Sequence, residues 1–176
     1  MVVIMVVLKM HNNLVSDSSQ EQQLATEVAR MLVKKSLTLA TAESCTGGAI
    51  GALLTSLAGS SAWFNGGVIS YSNASKIKLL NVNPDAIDNY GAVSQAVVEA
   101  MAIGGCQALG ADLCVAVSGV AGPGGGTSAK PVGSVWIAWC GPEQRLTSGL
   151  YHFDGERTQI QRAAVRMALQ GVINQC

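Results

Sequence analysis

Charge is scarce in this chain, and what there is balances: 11 Lys plus Arg face 11 Asp plus Glu, and charged residues make up only 12%. A nucleic-acid binder carries a basic stripe or patch. Here the densest basic runs are Lys34-Lys35 and Lys76-Ile77-Lys78, so nucleic acid is not an expected partner. Little charge together with 49% hydrophobic residues excludes disorder, which needs the opposite balance. Near-zero net charge leaves little long-range repulsion between copies and favours self-association, so a homodimer or higher homo-oligomer is expected.

Histidine is nearly missing. His11 and His152 lie far apart, which leaves no HExxH or other histidine-rich ligand set, and a Ser-His-Asp triad would rest on His152 alone. The five cysteines, Cys45, Cys106, Cys114, Cys140 and Cys176, are scattered and form no CxxC pair. That spacing gives neither a disulfide framework nor a zinc site. Cys106, Cys114 and Cys140 stand among apolar neighbours and read as buried thiols. Long hydrophobic runs are also lacking. Residues 1–8 are apolar but too short to cross a membrane, and they lack the basic flank and cleavage site of a signal peptide. The expectation is a cytoplasmic chain with no metal, no organic cofactor and no membrane partner. Residues 1–17 read as a flexible leader and residues 18–176 as one domain.

What is present is alternation of helix and strand. Residues 18–35 carry Leu24, Val28, Leu32 and Val33 at helical spacing and read as an amphipathic helix. Residues 36–42 read as a strand, 43–48 as a turn and 49–57 as an apolar helix. Residues 63–72 form the next strand, 73–80 a short helix and 84–89 a turn. Ser94 caps a helix over 95–109. Leu113 to Ser118 is a continuous apolar strand of the kind buried on both faces. Strands at 133–139 and 146–153 pair as a hairpin, and a helix over 155–174 closes the chain with Ile160, Val165, Leu169 and Val172 inward. This order predicts a three-layer α/β/α sandwich on a mixed, mostly parallel sheet.

Three segments could carry chemistry. Thr41-Ala-Glu-Ser-Cys-Thr-Gly-Gly48 places Ser44 and Thr46 on a strand-to-helix turn, where side-chain oxygens stand free and backbone N–H groups point at a ligand. The competing reading is that one of them merely caps the helix. Cys45 is a rival nucleophile without an obvious base. In the second segment, Tyr71 and Lys76 follow a buried strand. A lysine desolvated there can act as a base, whereas one on a helix face is only solvated, with Lys78 as the internal control. The third, Ser118-Gly-Val-Ala-Gly-Pro-Gly-Gly-Gly126, is a glycine loop that lets backbone approach an anion, or an ordinary surface loop. It is not a P-loop, since Lys130-Pro131 lacks the flanking Gly and Ser or Thr.

Taken in order, Ala42-Glu-Ser-Cys-Thr-Gly-Gly48, Phe64-Asn-Gly-Gly-Val-Ile-Ser-Tyr-Ser-Asn73 with Lys76 and Leu79-Leu80, Val93-Ser94, Ser118 to Gly125 and Lys130-Pro-Val-Gly133 resemble the CinA C-terminal domain family. Its members include nicotinamide-nucleotide amidohydrolases. The resemblance covers about residues 20–175, and the chain looks like the stand-alone form. It implies hydrolysis of the carboxamide of nicotinamide mononucleotide to nicotinate mononucleotide and ammonia, without metal or cofactor, on an α/β/α fold that is often dimeric. Its catalytic positions map to Ser44, Tyr71 and Lys76, with Lys76 taking the Ser44 proton directly or through Tyr71. Around them, Thr46, Gly47, Gly48, Ser118 and Gly119 are expected to line the substrate. Gly122, Gly124 and Gly125, with Arg157, are our own candidates for the 5′-phosphate. The sequence departs from the family pattern at Asn81, where Gly is expected, and at Ala74-Ser75. The alternative is a catalytically silent nucleotide-binding or regulatory module of the same family.

Overall fold

The computed structural model describes residues 17–175, apart from the side chains of Asp17 and Gln144. Of the leader expected over residues 1–17, residues 1–16, with His11, lie outside the described residues, as does Cys176, while Asp17 opens the first helix.

The helix α1 (Asp17–Lys35) leads into β1 (Leu39–Glu43), whose five residues are all buried. α2 (Ala49–Thr55), β2 (Phe64–Ile69), α3 (Asn73–Leu80), α4 (Pro84–Tyr90) and α5 (Gln95–Leu109) follow. Then come β3 (Leu113–Gly119), β4 (Ser134–Cys140), β5 (Leu146–His152) and α6 (Arg157–Gln175). The sheet order is β2-β1-β3-β4-β5. β1 pairs in parallel with β2 and β3, while β4 is antiparallel to both β3 and β5. Only β4 therefore runs against the other four, which is the mixed, mostly parallel sheet read from the sequence.

Alternate residues of β1 and β3 face opposite layers, as the two-residue strand period requires. Leu39, Val115 and Val117 pack with Val28, Leu32, Ile50, Leu54, Ile160 and Leu169 of α1, α2 and α6. Ala40, Ala42, Cys114 and Ala116 pack with Leu80 of α3, Ile87 of α4 and Val98, Met101 and Ala102 of α5. Two helical layers thus enclose the sheet.

Several local expectations are corrected. Val33 is 60% exposed, because the buried stripe of α1 runs through Ala25, Val28 and Leu32 and the next residue lies about 100° around the helix. Strand β1 starts at Leu39, after Ser36 takes a left-handed φ of 53°. Residues 84–90 are a helix, not a turn: the Asn83 side chain accepts from Asp85 N–H and Pro84 opens the first turn, where its fixed φ and missing N–H fit. Cys114 and Cys140 are buried as expected, but Cys106 is only half-buried. Asn81 takes a left-handed φ of 53° as the C-cap of α3, a conformation Asn shares with Gly. The departure at that position therefore keeps the geometry. Among the described residues no helix is long and apolar enough to cross a membrane.

The chain leaves β1 towards β2 on one side, and β3 flanks β1 on the other. In open α/β sheets ligands bind beyond the carboxyl ends of the strands at such a reversal. Ser44 occupies that place, its N–H donating to Val117 O of β3 at 3.0 Å.

Candidate active site

The turn after β1 is built around a residue the sequence reading passed over. Glu43 is buried and its carboxylate caps α2 from below. Its Oε2 accepts from Thr46 Oγ1 (2.8 Å), Gly48 N–H (3.0 Å) and Ile50 N–H (3.1 Å), and its Oε1 from Gly51 N–H (2.9 Å). A helix start leaves its first N–H groups without intrahelical partners and favours negative charge. Here the protein supplies the anion itself. The signal for this was present: residue 43 continues the buried face of Leu39 and Thr41, so its acid had to find donors inside.

Expected ligand groups are consumed by this arrangement. Thr46 spends its hydroxyl and Gly48 its N–H on Glu43, while Gly47 N–H donates to Ser44 O at 3.1 Å. Gly48 is required by its φ of 97° and because a Cβ there would come within 2.8 Å of Ile69 Cδ1. The residues expected to hold an oxyanion through backbone at 46–48 therefore contribute one donor, Thr46. Among the described residues, the N–H groups of Cys45 and Thr46 are the two in this turn that donate to no other residue. From α6, Gln161 Nε2 donates to Cys45 O at 2.8 Å and fixes the peptide between them.

Lys76 reaches the same point from the other helical layer. Ser72 and Ser75 form a reciprocal capping box that starts α3, and Lys76 in its first turns is 1% exposed. Its Nζ lies 3.0 Å from Ser44 Oγ, 2.8 Å from Ser70 O and 3.5 Å from Tyr71 O. Burial lowers its pKa below the ordinary lysine value, and the nearby Cys45 only partly opposes this. A neutral amine at this place has two N–H groups for the two carbonyls and a lone pair left over for the Ser44 hydroxyl. Lys78, two residues on, is exposed. The solvated-lysine reading fits Lys78 and fails for Lys76.

The surroundings of Cys45 count against it as the nucleophile. Its side chain belongs to the core against α1 and α6, and burial pushes its thiol up to about 12. A thiol with that pKa supplies almost no thiolate at neutral pH.

The glycine loop divides in two. Ser118 is buried with its hydroxyl donating to Ala92 O at 2.8 Å, and Gly119 lies flat on β4, where a Cβ would be 2.8 Å from Ser134 O. Both are engaged with the fold at these contacts. Gly122, with φ 79°, packs against Val132, whereas Gly124 and Gly125 stand open. Arg157, the first residue of α6, joins this loop to the second segment: its Nη1 donates to Gly122 O at 2.8 Å and its Nη2 to Tyr71 Oη at 3.0 Å. Both acceptors are neutral, so the guanidinium charge is not offset at these contacts. His152 lies outside this cluster, in β5 beside Asp154. Among the described residues no His, Cys, Asp and Glu group could hold a metal.

Comparison with known proteins finds relatives over most of the chain. The sequence profile of the CinA C-terminal domain matches residues 21–176. The chain is 49% identical over 150 residues to the nicotinamide-nucleotide amidohydrolase PncC of Pseudomonas putida, covering 85% of this chain and 93% of that protein. It is 43% identical over 153 residues to the PncC of Enterobacter agglomerans, covering 87% and 93%. The crystal structure of the competence/damage inducible protein CihA from Agrobacterium tumefaciens superposes with a TM-score of 0.86 at 35% identity, covering 96% of this chain and 99% of that one.

Proposed function

The chain belongs to the CinA C-terminal domain family, and from that premise we propose that it is a nicotinamide-nucleotide amidohydrolase working through Ser44 and Lys76. The observation that carries this reading is the 3.0 Å contact between the Ser44 hydroxyl and a buried, desolvated lysine amine. A nucleophilic serine needs an adjacent base, and a lysine kept neutral by burial is one.

Neutral Lys76 takes the Ser44 proton as Oγ attacks the carboxamide carbon of nicotinamide mononucleotide. The contact is direct, so the transfer needs no relay. Cys45 and Thr46 N–H hold the oxyanion that forms on the carboxamide oxygen. The tetrahedral intermediate collapses with the proton on Lys76 passing to the departing nitrogen, and ammonia leaves. Water, deprotonated by Lys76, attacks the ester on Ser44. Lys76 returns that proton to Ser44 Oγ as the C–O bond breaks, and nicotinate mononucleotide is released. Arg157, whose charge is not offset by its two neutral acceptors, and the open Gly124 and Gly125 take the 5′-phosphate. Base, nucleophile and oxyanion donors all come from the chain, so the steps call for no metal or organic cofactor. We further assign the activity to a single domain over residues 18–176, acting in the cytoplasm as a homo-oligomer.

The test is ammonia release from nicotinamide mononucleotide by the purified protein and by its Ser44→Ala variant. Wild type should turn over and the variant should lose at least about 10³-fold, the scale on which triad-type nucleophiles act, while still binding the mononucleotide. Binding without ammonia release in the wild type would instead identify a catalytically silent nucleotide-binding module.

A further inference from the structure

Tyr71 is a large aromatic residue that the fold holds open to solvent and yet fixes at both ends. It is 60% exposed. Its carbonyl faces Lys76 Nζ at 3.5 Å, and its hydroxyl accepts from Arg157 at 3.0 Å. The same guanidinium holds Gly122 O, beyond the end of β3. Since β1 lies between β2 and β3 in the sheet, the bridge from Tyr71 through Arg157 to Gly122 spans the carboxyl end of β1, where Ser44 sits.

A proton relay does not need this arrangement. Lys76 touches Ser44 directly, and the tyrosine hydroxyl is turned to the guanidinium instead. What the bridge does fix is the ring. The substrate class proposed above carries a cationic, aromatic pyridinium beside its carboxamide. The carboxylate of the nucleophile turn cannot pair with that cation, because Glu43 is buried and accepts four hydrogen bonds. An immobilised aromatic face remains, and such faces attract desolvated cations.

We propose that Tyr71 is a specificity-determining residue whose ring, clamped by Arg157, is the platform for the cationic pyridinium ring of the substrate. This rests on the amidohydrolase reading for the identity of the ligand, but not for its test. Binding is measured by titration calorimetry in the Ser44→Ala background, with nicotinamide mononucleotide and with its reduced form. The two share carboxamide, ribose and phosphate, and only the first ring is charged and aromatic. Tyr71→Leu should weaken binding of the oxidised form about 5- to 30-fold and of the reduced form far less. Tyr71→Phe should lose less than Tyr71→Leu, and Tyr71→Trp should keep the preference for the charged ring. These two variants retain the test if the leucine variant does not fold. Equal losses for both ligands, or none for either, would overturn the platform. So would a fall of 100-fold or more in kcat for Tyr71→Phe in the otherwise native enzyme with KM unmoved, which is the signature of a proton relay. Tyr71-dependent binding with no ammonia from the wild type would leave the platform standing and sink the amidohydrolase reading. Ammonia release with binding indifferent to Tyr71 would do the reverse, and the lack of both would remove both.

Discussion

Ser44 and Lys76 are 32 positions apart in the chain and 3.0 Å apart in space. Each arrives from a different layer: Ser44 from the end of the inner strand β1, Lys76 from α3 on the face opposite α2. The contact exists because β2 returns parallel to β1 and delivers Ser70 and α3 beside the nucleophile turn, with Ser70 N–H donating to Glu43 O at 2.8 Å.

Replacing Lys76 should separate it sharply from its neighbour of the same type. Lys76→Ala is expected to lower kcat by about 10²- to 10⁴-fold, the usual worth of general-base assistance, whereas Lys78→Ala, at an exposed position, should stay within about twofold. Steady-state ammonia release for the two variants decides it. Equal rates would leave Lys76 without a catalytic role.

The same burial sets two pH dependences of one sign. Lys76 has its pKa lowered by desolvation, so activity should rise with pH through an apparent pKa below that of a free lysine. Below that folded-state value the buried ammonium destabilises the fold in full. As pH rises from there to the unfolded-state value of about 10.4, the folded chain binds fewer protons than the unfolded one and the cost is relieved. Lys76→Met should therefore stabilise the protein at neutral pH, with the advantage shrinking towards pH 10. Urea unfolding at several pH values measures it, and an advantage that grew with pH would contradict the argument.

Glu43→Gln should cost about 2–4 kcal/mol in urea unfolding. Four donors converge on one carboxylate, and an amide can present only one carbonyl oxygen. Its NH₂ would then face a buried N–H, leaving charge-assisted bonds unmade and donors unpaired. Wild-type stability in this variant would mean that the capping of α2 carries little of the turn's order.

Glu43 also marks the limit of what the sequence disclosed. A small-residue turn and a lysine after an apolar strand are local patterns that made Ser44 and Lys76 candidates, and the family resemblance gave them roles. The strand expected to be buried, β2, is instead an edge strand of half-buried and exposed residues. The consumption of Gly48 N–H and the Thr46 hydroxyl by Glu43 was not local in that sense. It depends on which face of β1 residue 43 takes and on α2 folding back over it. Likewise the Arg157–Tyr71 contact joins residues 86 apart and depends on where the sheet order and the start of α6 bring them. The helix at Pro84–Tyr90 is different: Asn83-Pro84 is an N-cap followed by a first-turn proline, and the two turn-forming residue types masked it.

One buried group in β1 has no hydrogen-bond partner among the described residues. Thr41 Oγ1 is enclosed on the α2 side of the sheet, near Gly67 and Gly51. Gly67 leaves it room, since a Cβ there would lie only 2.4 Å from that oxygen. A buried hydroxyl without a partner costs about 1–3 kcal/mol of desolvation. Thr41→Val keeps the shape and removes the polar atom, and should raise Tm by about 2–4 °C, the shift that ~1 kcal/mol gives in a chain of this size. Thr41→Ser makes the opposite change: it keeps the hydroxyl, loses the methyl and should lower Tm. The pair of variants separates polarity from packing. If valine lowers Tm as serine does, then the hydroxyl is satisfied in solution and the orphaned-group argument fails at this site.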